Sequence, residues 1–126
     1  MGNKSIDFDF EKLEVYQRAL DFTDAVYELT KSFPKTEQFG IISQLRRASL
    51  SISLNIAEGS GRYNPAEKKQ FYRIARSSTY ECIPLLELSL RQSYINLKQY
   101  EKFKQECIEL AKMTSGLINS LPTPNS

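Results

Sequence analysis

The chain has 126 residues, of which 40% are hydrophobic and 25% are charged, a composition typical of one globular domain with its own core. Its net charge of +2 is too small to indicate a polyanionic partner by itself. The sequence has no histidine, the usual general base and most common metal ligand, and it contains no P-loop or dinucleotide-binding motif. We therefore expect no enzymatic activity, no cofactor or metal site and no small-molecule substrate.

The two cysteines, Cys82 and Cys107, lack the paired spacing of a zinc site and fall on apolar faces of predicted helices. We expect both to be free, buried thiols. The N-terminal residues lead into acidic sequence rather than an apolar core, and no apolar run is long enough to span a bilayer. These features predict a bacterial-type cytoplasmic location and no membrane contact.

The first half of the chain contains two stretches with helical periodicity of apolar residues. The first covers about residues 10–32, and Asp9 is its predicted N-cap. The second covers about residues 37–58 after Thr36 as N-cap. Gly59 follows where a helix often ends in the left-handed conformation, so we expect it to stop this helix.

The second half of the chain contains two further helical stretches. Asn64, Pro65 and Glu67 provide a cap, a proline at the first helical position and a capping-box glutamate, which predicts a helix over residues 65–93. A seven-residue apolar repeat predicts another helix over residues 97–119. The sequence contains no alternation of apolar and polar residues that would predict a β-strand instead. The sequence therefore predicts an all-α, antiparallel up-down-up-down four-helix bundle that forms a single domain over residues 1–126.

The near-neutral total charge conceals two oppositely charged segments. Residues 8–30 carry six carboxylates and two basic side chains, whereas residues 46–76 carry seven basic side chains and two carboxylates. Such segregation can mark a nucleic-acid surface, because guanidinium and ammonium groups bind phosphate oxygens. The predicted nucleic-acid-binding residues are Arg46, Arg47, Arg62, Lys68, Lys69, Arg73 and Arg76.

The arrangement of these basic residues depends on the register of the helical hairpin. If the hairpin is centred on the Gly61–Arg62 turn, Arg47 lies near Arg76, and the arginines of both helices share one surface band. The alternative is a solvated face with local ion pairs, such as one between Arg47 and Glu81. Both interpretations remain open at the level of the sequence.

The second helix carries apolar residues on two faces. At about 100° per residue, Leu50 and Leu54 point nearly opposite to the core stripe that contains Ile52, and Ala57 joins them. One bundle cannot cover both faces, so these three residues are a predicted homo-oligomer interface. The alternative is that loose packing or the N-terminal arm, residues 6–8, covers them.

Six residues have predicted structural roles. Asn55 lies at the edge of the core stripe, where a partly buried amide can fix helix register. The full set comprises Asn55, Glu58, Gly59, Asn64, Pro65 and Glu81.

Several motifs, in order, resemble the four-helix-bundle proteins called 23S rRNA intervening sequence proteins. They include Ser43-Gln44-Leu45-Arg46-Arg47-Ala48, Asn55-Ile56-Ala57-Glu58-Gly59, and the spaced residues between Phe71 and Glu81. The resemblance implies an up-and-down bundle and a cyclic pentamer, as in the similar accessory variability determinant of diversity-generating retroelements, which works with a reverse transcriptase and RNA. It supplies no catalytic residues, and only Arg46 and Arg47 of the basic set lie within its motifs.

Two functions fit these observations. One is a non-enzymatic oligomeric protein, of unassigned cellular role, that binds RNA or another nucleic acid through the basic hairpin. The alternative is an oligomeric protein-interaction scaffold whose arginines form ion pairs between subunits.

Overall fold

A computed structural model describes residues 4–123, so residues 1–3 and 124–126 of the predicted domain lie outside it. The described part contains four α-helices and no strand, which confirms the predicted all-α four-helix bundle. Two short 3-10 helices precede α1 and α2, at Asp9–Lys12 and Lys35–Glu37. The α-helices are α1 at Glu14–Thr30, α2 at Ile41–Ser60, α3 at Pro65–Arg91 and α4 at Leu97–Asn119.

The helices pack in chain order around one core. α2 packs on α1 and α3, α3 packs on α4, and the contact between α1 and α4 is the least extensive of the four. Leu45, Ile52 and Ile56 of α2 are fully buried, together with Leu86 of α3 and Leu110 of α4. Each such side chain contributes about 1.5–3 kcal/mol on burial. α2 is therefore the central helix of the core.

The seam between α1 and α4 is closed by an ion pair. Arg18 on α1 donates from Nε to Oε1 of Glu106 at 3.1 Å and from Nη2 to Oε2 at 3.0 Å. This hydrogen bonding to Glu106 raises the pKa of Arg18. The ring centroids of Phe22 and Phe103 lie 6.0 Å apart in the same seam. The seam thus combines one two-pronged ion pair with one aromatic contact.

Hydroxyl groups within the bundle bond to their own helices. Thr23, Thr30 and Thr114 each donate to the carbonyl four residues earlier, at 3.1, 2.8 and 2.6 Å. Thr79 does the same to Ala75 at 3.1 Å. Within residues 4–123, no buried side-chain nitrogen or oxygen lacks a partner. Small polar residues can therefore line the helix contacts without an unsatisfied group.

Two predicted N-caps are wrong because short 3-10 helices occupy these sites. Asp9 begins the first of them, and the N-cap of α1 is Leu13, with no side-chain hydrogen bond. Thr36 lies within the second, and α2 begins only at Ile41. The backbone N–H of Ile41 instead donates to Oε1 of Glu37 at 3.4 Å. A side chain from the preceding 3-10 helix thus partly replaces the predicted cap.

The predicted left-handed stop at Gly59 is also wrong. Gly59 has no positive φ, and α2 continues through it to Ser60. A Cβ atom at Gly59 would lie 2.8 Å from Cε1 of Tyr72 and 3.1 Å from Cβ of Phe71 on α3. Close helix packing, rather than backbone conformation, therefore requires glycine at this position.

The starts of α3 and α4 carry side-chain caps. Oδ1 of Asn64 accepts hydrogen bonds from the N–H groups of Ala66 at 2.7 Å and Glu67 at 3.4 Å, and proline occupies the first turn as predicted. The reciprocal capping box occurs instead at α4. There Asn96 and Gln99 exchange side-chain-to-backbone hydrogen bonds of 2.8 and 2.9 Å.

The two connections at the far end of the bundle are joined by a tyrosine. The hydroxyl of Tyr94, in the α3–α4 turn, donates to Oε2 of Glu37 at 2.8 Å. The Tyr94 ring also contacts Phe33, with 5.2 Å between ring centroids. Hydrogen bonding to Glu37 raises the pKa of Tyr94. This contact ties the α1–α2 connection to the α3–α4 turn.

Both cysteines are free and buried in the contact between α3 and α4. A hydrogen bond with Cys107, together with burial, raises the pKa of the Cys82 thiol. Among the helices of residues 4–123, none is both long enough and apolar enough to span a membrane.

Candidate nucleic-acid interface

The register between α2 and α3 is marked by a serine pair. Oγ of Ser78 donates to Oγ of Ser51 at 2.8 Å. Counting away from this pair along antiparallel helices places Arg47 at the level of Cys82 rather than Arg76. The predicted neighbouring positions of Arg47 and Arg76 are therefore wrong. The Ser51–Ser78 pair centres the hairpin between Asn64 and Pro65, three residues later than the predicted Gly61–Arg62 turn.

Asn55 supports this register. Its Nδ2 donates to the carbonyl oxygen of Ser51 at 2.8 Å and to its Oγ at 3.0 Å. The amide thus holds the hydroxyl that receives the bond from Ser78. The exposed Glu81 forms no ion pair with Arg47 in the described part of the chain. The suggested Arg47–Glu81 pair is therefore absent there.

Arg46 faces α1 and is held by it. Its Nε donates to Oγ1 of Thr30 at 2.9 Å, and its Nη2 donates to the carbonyl oxygen of Tyr27 at 3.4 Å. The guanidinium carbon also lies 4.5 Å from the centroid of the Tyr27 ring. These contacts are a charge-assisted link between α1 and α2. Arg46 therefore has a structural role within the chain through Nε and Nη2.

Arg47 lies on the outer face of α2. Within residues 4–123 it has no hydrogen-bond or ion-pair partner, and it lines an open pocket with Leu50 and Phe39. Leu50 is 37% exposed and Leu54 is 54% exposed, while Ala57 is half-buried. Leu50 and Leu54 are exposed with residues 6–8 in place, so this arm does not cover them. We call Arg47, Leu50, Leu54 and Ala57 the α2 outer face.

Two basic residues near the α2–α3 turn are used within the chain. Arg62 pairs with Glu58 at 3.2 Å, and its guanidinium carbon lies 4.8 Å from the Phe71 ring centroid. Nζ of Lys68 donates to the carbonyl oxygen of Ser60 at 3.0 Å. The positive charge of Lys68 interacts favourably with the negative, C-terminal end of the α2 helix dipole. Lys68 thus stabilises the C-terminal end of α2, and Arg62 neutralises the Glu58 carboxylate there.

The remaining three basic residues line one side of α3. Lys69, Arg73 and Arg76 are spaced by four and three residues, so they share a helix face. Arg76 donates from Nη1 to Oγ of Ser115 at 3.2 Å, which shows that this face borders α4. None of the three pairs with a carboxylate in the described residues. We call Lys69, Arg73 and Arg76 the α3 basic strip.

Lys69 illustrates how the strip is built. Only 7% of its surface is exposed, so its aliphatic stem is packed into the protein. Its amine has no hydrogen-bond partner in the described residues, and no buried side-chain nitrogen there lacks one, so the amine reaches solvent. The charge of Lys69 thus lies at the protein surface above a buried stem.

An open groove of about 480 Å³ continues from the strip between α3 and α4. Tyr80 of α3 lines it and is 59% exposed. Ile108, Lys112 and Gly116 of α4 also line it, and a Cβ at Gly116 would have no atom within 4 Å. Tyr80 was not among the residues predicted from the sequence. Its position four residues after Arg76 was the available signal, because that spacing returns to the same helix face.

The fold and these surfaces define a class, a small all-α four-helix bundle with one exposed apolar face and one basic strip. The family model described as 23S rRNA-intervening sequence protein matches residues 11–116, and the chain therefore belongs to that family.

A crystal structure from Bacteroides thetaiotaomicron VPI-5482 is similar to this chain. It is described as a protein with unknown function from the S23 ribosomal protein family. The two are 27% identical, the match covers 83% of this chain and 95% of the other, and the TM-score is 0.77. None of the curated proteins compared matches the chain.

Proposed function

We propose that this chain is a non-enzymatic, oligomeric protein that binds RNA or another nucleic acid through the α3 basic strip. The observation that carries the proposal is that Lys69, Arg73 and Arg76 share one helix face and none has a carboxylate partner in the described residues. Guanidinium groups match the geometry of phosphate oxygens, and cations without a carboxylate partner keep their charge available to bind them. Arg46, Arg62 and Lys68 would act instead within the chain.

Self-association is the second part of the proposal. Leu50 and Leu54 expose apolar surface on the α2 outer face, and burial against another copy would remove it from water. Assembly would repeat the basic strip, so that several weak sites could bind one polyanion with avidity. The pentamer follows from the resemblance to the accessory variability determinant. The subunit number and the cytoplasmic location stay predictions.

A salt series of RNA binding tests the nucleic-acid part. The triple variant Lys69→Gln, Arg73→Gln, Arg76→Gln should weaken binding and lower the slope of log affinity against log salt by about two. A matched control is Lys35→Gln, Arg91→Gln, Lys98→Gln, which removes as many charges at the other end of the bundle. The proposal fails if the unmodified protein binds no RNA at low salt, or if both triple variants behave alike.

A protein-interaction scaffold is the second candidate, and the position of Arg47 favours it. This exposed arginine lies beside Leu50, where an ion pair between subunits could form. Arg47→Glu should then reduce the assembled mass while each subunit keeps its basic strip. If Arg47→Glu leaves the mass unchanged and only RNA binding falls, the scaffold interpretation is contradicted.

A further inference from the structure

Tyr80 extends the α3 basic strip with an exposed aromatic ring. Arg73, Arg76 and Tyr80 follow at spacings of three and four residues, so the ring lies on the same face as the two cations. From Lys69 to Tyr80 this face is about 16 Å long at 1.5 Å per residue. Tyr80 is 59% exposed and makes no hydrogen bond or ring contact within residues 4–123. Its ring surface is therefore available to a ligand.

The surroundings of Tyr80 suit a flat, weakly polar ligand beside a charged one. Ile108 and Ala111 supply apolar groove surface, and Lys112 lies at the groove edge. The nearest carboxylate partner of Lys112 is Glu109, at 4.0 Å, so this amine is only loosely paired. Gly116 leaves the α4 side of the groove open. Cations, an exposed ring and apolar surface thus occur together along one groove.

This combination of side chains suits single-stranded nucleic acid better than double-stranded nucleic acid. In a duplex the base faces are stacked on one another, so a protein ring cannot stack on them without unwinding the helix. In a single strand each base can leave its neighbours and stack on an aromatic side chain while the backbone follows a basic groove. An exposed ring would add nothing to binding that depended on phosphate charge alone.

We propose that the α3–α4 groove binds single-stranded nucleic acid, with one base stacked on Tyr80 and the adjoining phosphates on Arg73 and Arg76. This inference rests on the proposed function and adds the class of ligand and the residue that contacts a base. Arg76 has a defined direction because it is held by Ser115. The strand would run along α3, with the stacked base in the groove that Tyr80 lines together with residues of α4.

The chain contains no tryptophan, so Tyr80→Trp introduces a single tryptophan at the stacking position, and its emission can be followed by itself. Tyr80 is largely exposed, and the larger ring can be accommodated there. The probes are an oligouridylate of about 12 nucleotides, a duplex of about the same length, and inorganic polyphosphate. Tyr63→Trp is the matched control, because Tyr63 is 100% exposed and lies in the α2–α3 turn rather than in the groove lining.

The expected result is quenching of the Tyr80→Trp emission that saturates with the single strand and is absent with polyphosphate and with the Tyr63→Trp control. Tyr80→Leu, as an independent variant, should weaken single-strand binding about five-fold or more, whereas Tyr63→Leu should not. The duplex should bind more weakly than the single strand at equal phosphate concentration.

Two other outcomes would contradict the stacking inference alone or the proposed function as a whole. If the single strand binds with normal salt dependence but neither quenches Tyr80→Trp nor responds to Tyr80→Leu, the stacking inference is wrong and the proposed function stands. If neither the single strand nor polyphosphate binds at low salt, the proposed function fails and this inference fails with it.

Discussion

A β-carbon added to Gly59 would lie 2.8 Å from Cε1 of Tyr72, so α2 and α3 approach too closely at this point for a side chain. The Tyr72 ring has little room to move away. It is 5% exposed, and its hydroxyl is 3.0 Å from Oγ of Ser60. Gly59 lies one residue before the end of α2, so the contact sets how closely the hairpin closes next to its turn.

We expect Gly59→Ala to lower the free energy of unfolding by about 1–2 kcal/mol, since the clash outweighs the helix propensity of alanine. Gly116→Ala is the matched control, because it lies within α4 and its Cβ would meet nothing within 4 Å. That variant should gain up to about 1 kcal/mol. Urea unfolding measures both, and equal shifts in the two variants would contradict the steric explanation.

The adjacent arginines Arg46 and Arg47 should differ in how much stability alanine substitution costs. Arg46→Ala removes the bonds to Thr30 and Tyr27 and should cost about 1–2 kcal/mol of folding stability. Arg47→Ala removes no contact within the described chain and should stay within about 0.5 kcal/mol. Both are measured in a Leu50→Lys, Leu54→Lys background to exclude effects of assembly. Equal losses would show that Arg46 contributes nothing beyond a surface charge.

The α2 outer face should determine the assembled mass. Leu50→Lys with Leu54→Lys should lower the mass measured by light scattering to that of one chain, since burying two charges at an apolar contact is unfavourable. The helical circular dichroism should persist, because both leucines are exposed. Leu88→Lys with Leu97→Lys is the control, at exposed leucines elsewhere. A mass that stays unchanged in the first variant refutes the proposed interface.

The bond between Tyr94 and Glu37 should make stability depend on alkaline pH. Hydrogen bonding to the carboxylate raises the folded-state pKa of Tyr94 above its ordinary value of 10.0. The neutral phenol is then favoured by folding, so its contribution is complete below about pH 10 and is lost as the pH rises through the folded-state pKa.

Tyr94→Phe should remove this alkaline dependence, as measured by urea unfolding between about pH 8 and pH 11. Tyr63→Phe is the control, since Tyr63 is 100% exposed. If Tyr94→Phe retains the same loss of stability at high pH as the unmodified protein, another group is responsible.

The helices themselves could be predicted because their apolar periodicity depends only on local sequence. Their starts could not be predicted as well. Asp9 and Thr36 have the residue types of helix caps, but each is taken up by a 3-10 helix that precedes the α-helix. Asn64 is followed directly by Pro65, and a proline disfavours a helical conformation in the residue before it. The helix therefore begins at Pro65, and the predicted cap at Asn64 is confirmed.

The charge of the candidate site could be predicted, but not its arrangement. Which basic residues share a surface depends on the rotation and register of α2 against α3, which Ser51 and Ser78 mark. The turn was predicted a few residues too early. The predicted α3 neighbour of Arg47 was therefore Arg76 instead of Cys82. Tyr80 could have been found from its spacing to Arg76, but the exposure of its ring required the structure.

The limited contact between α1 and α4 determines where the bundle opens locally. α1 lies against α2 along its length but is fastened to α4 mainly through Arg18 and Phe22. Opening this seam exposes less apolar surface than separating α2 from α3, so it requires less free energy. We expect amide hydrogens of α1 to exchange with deuterium before those of α2.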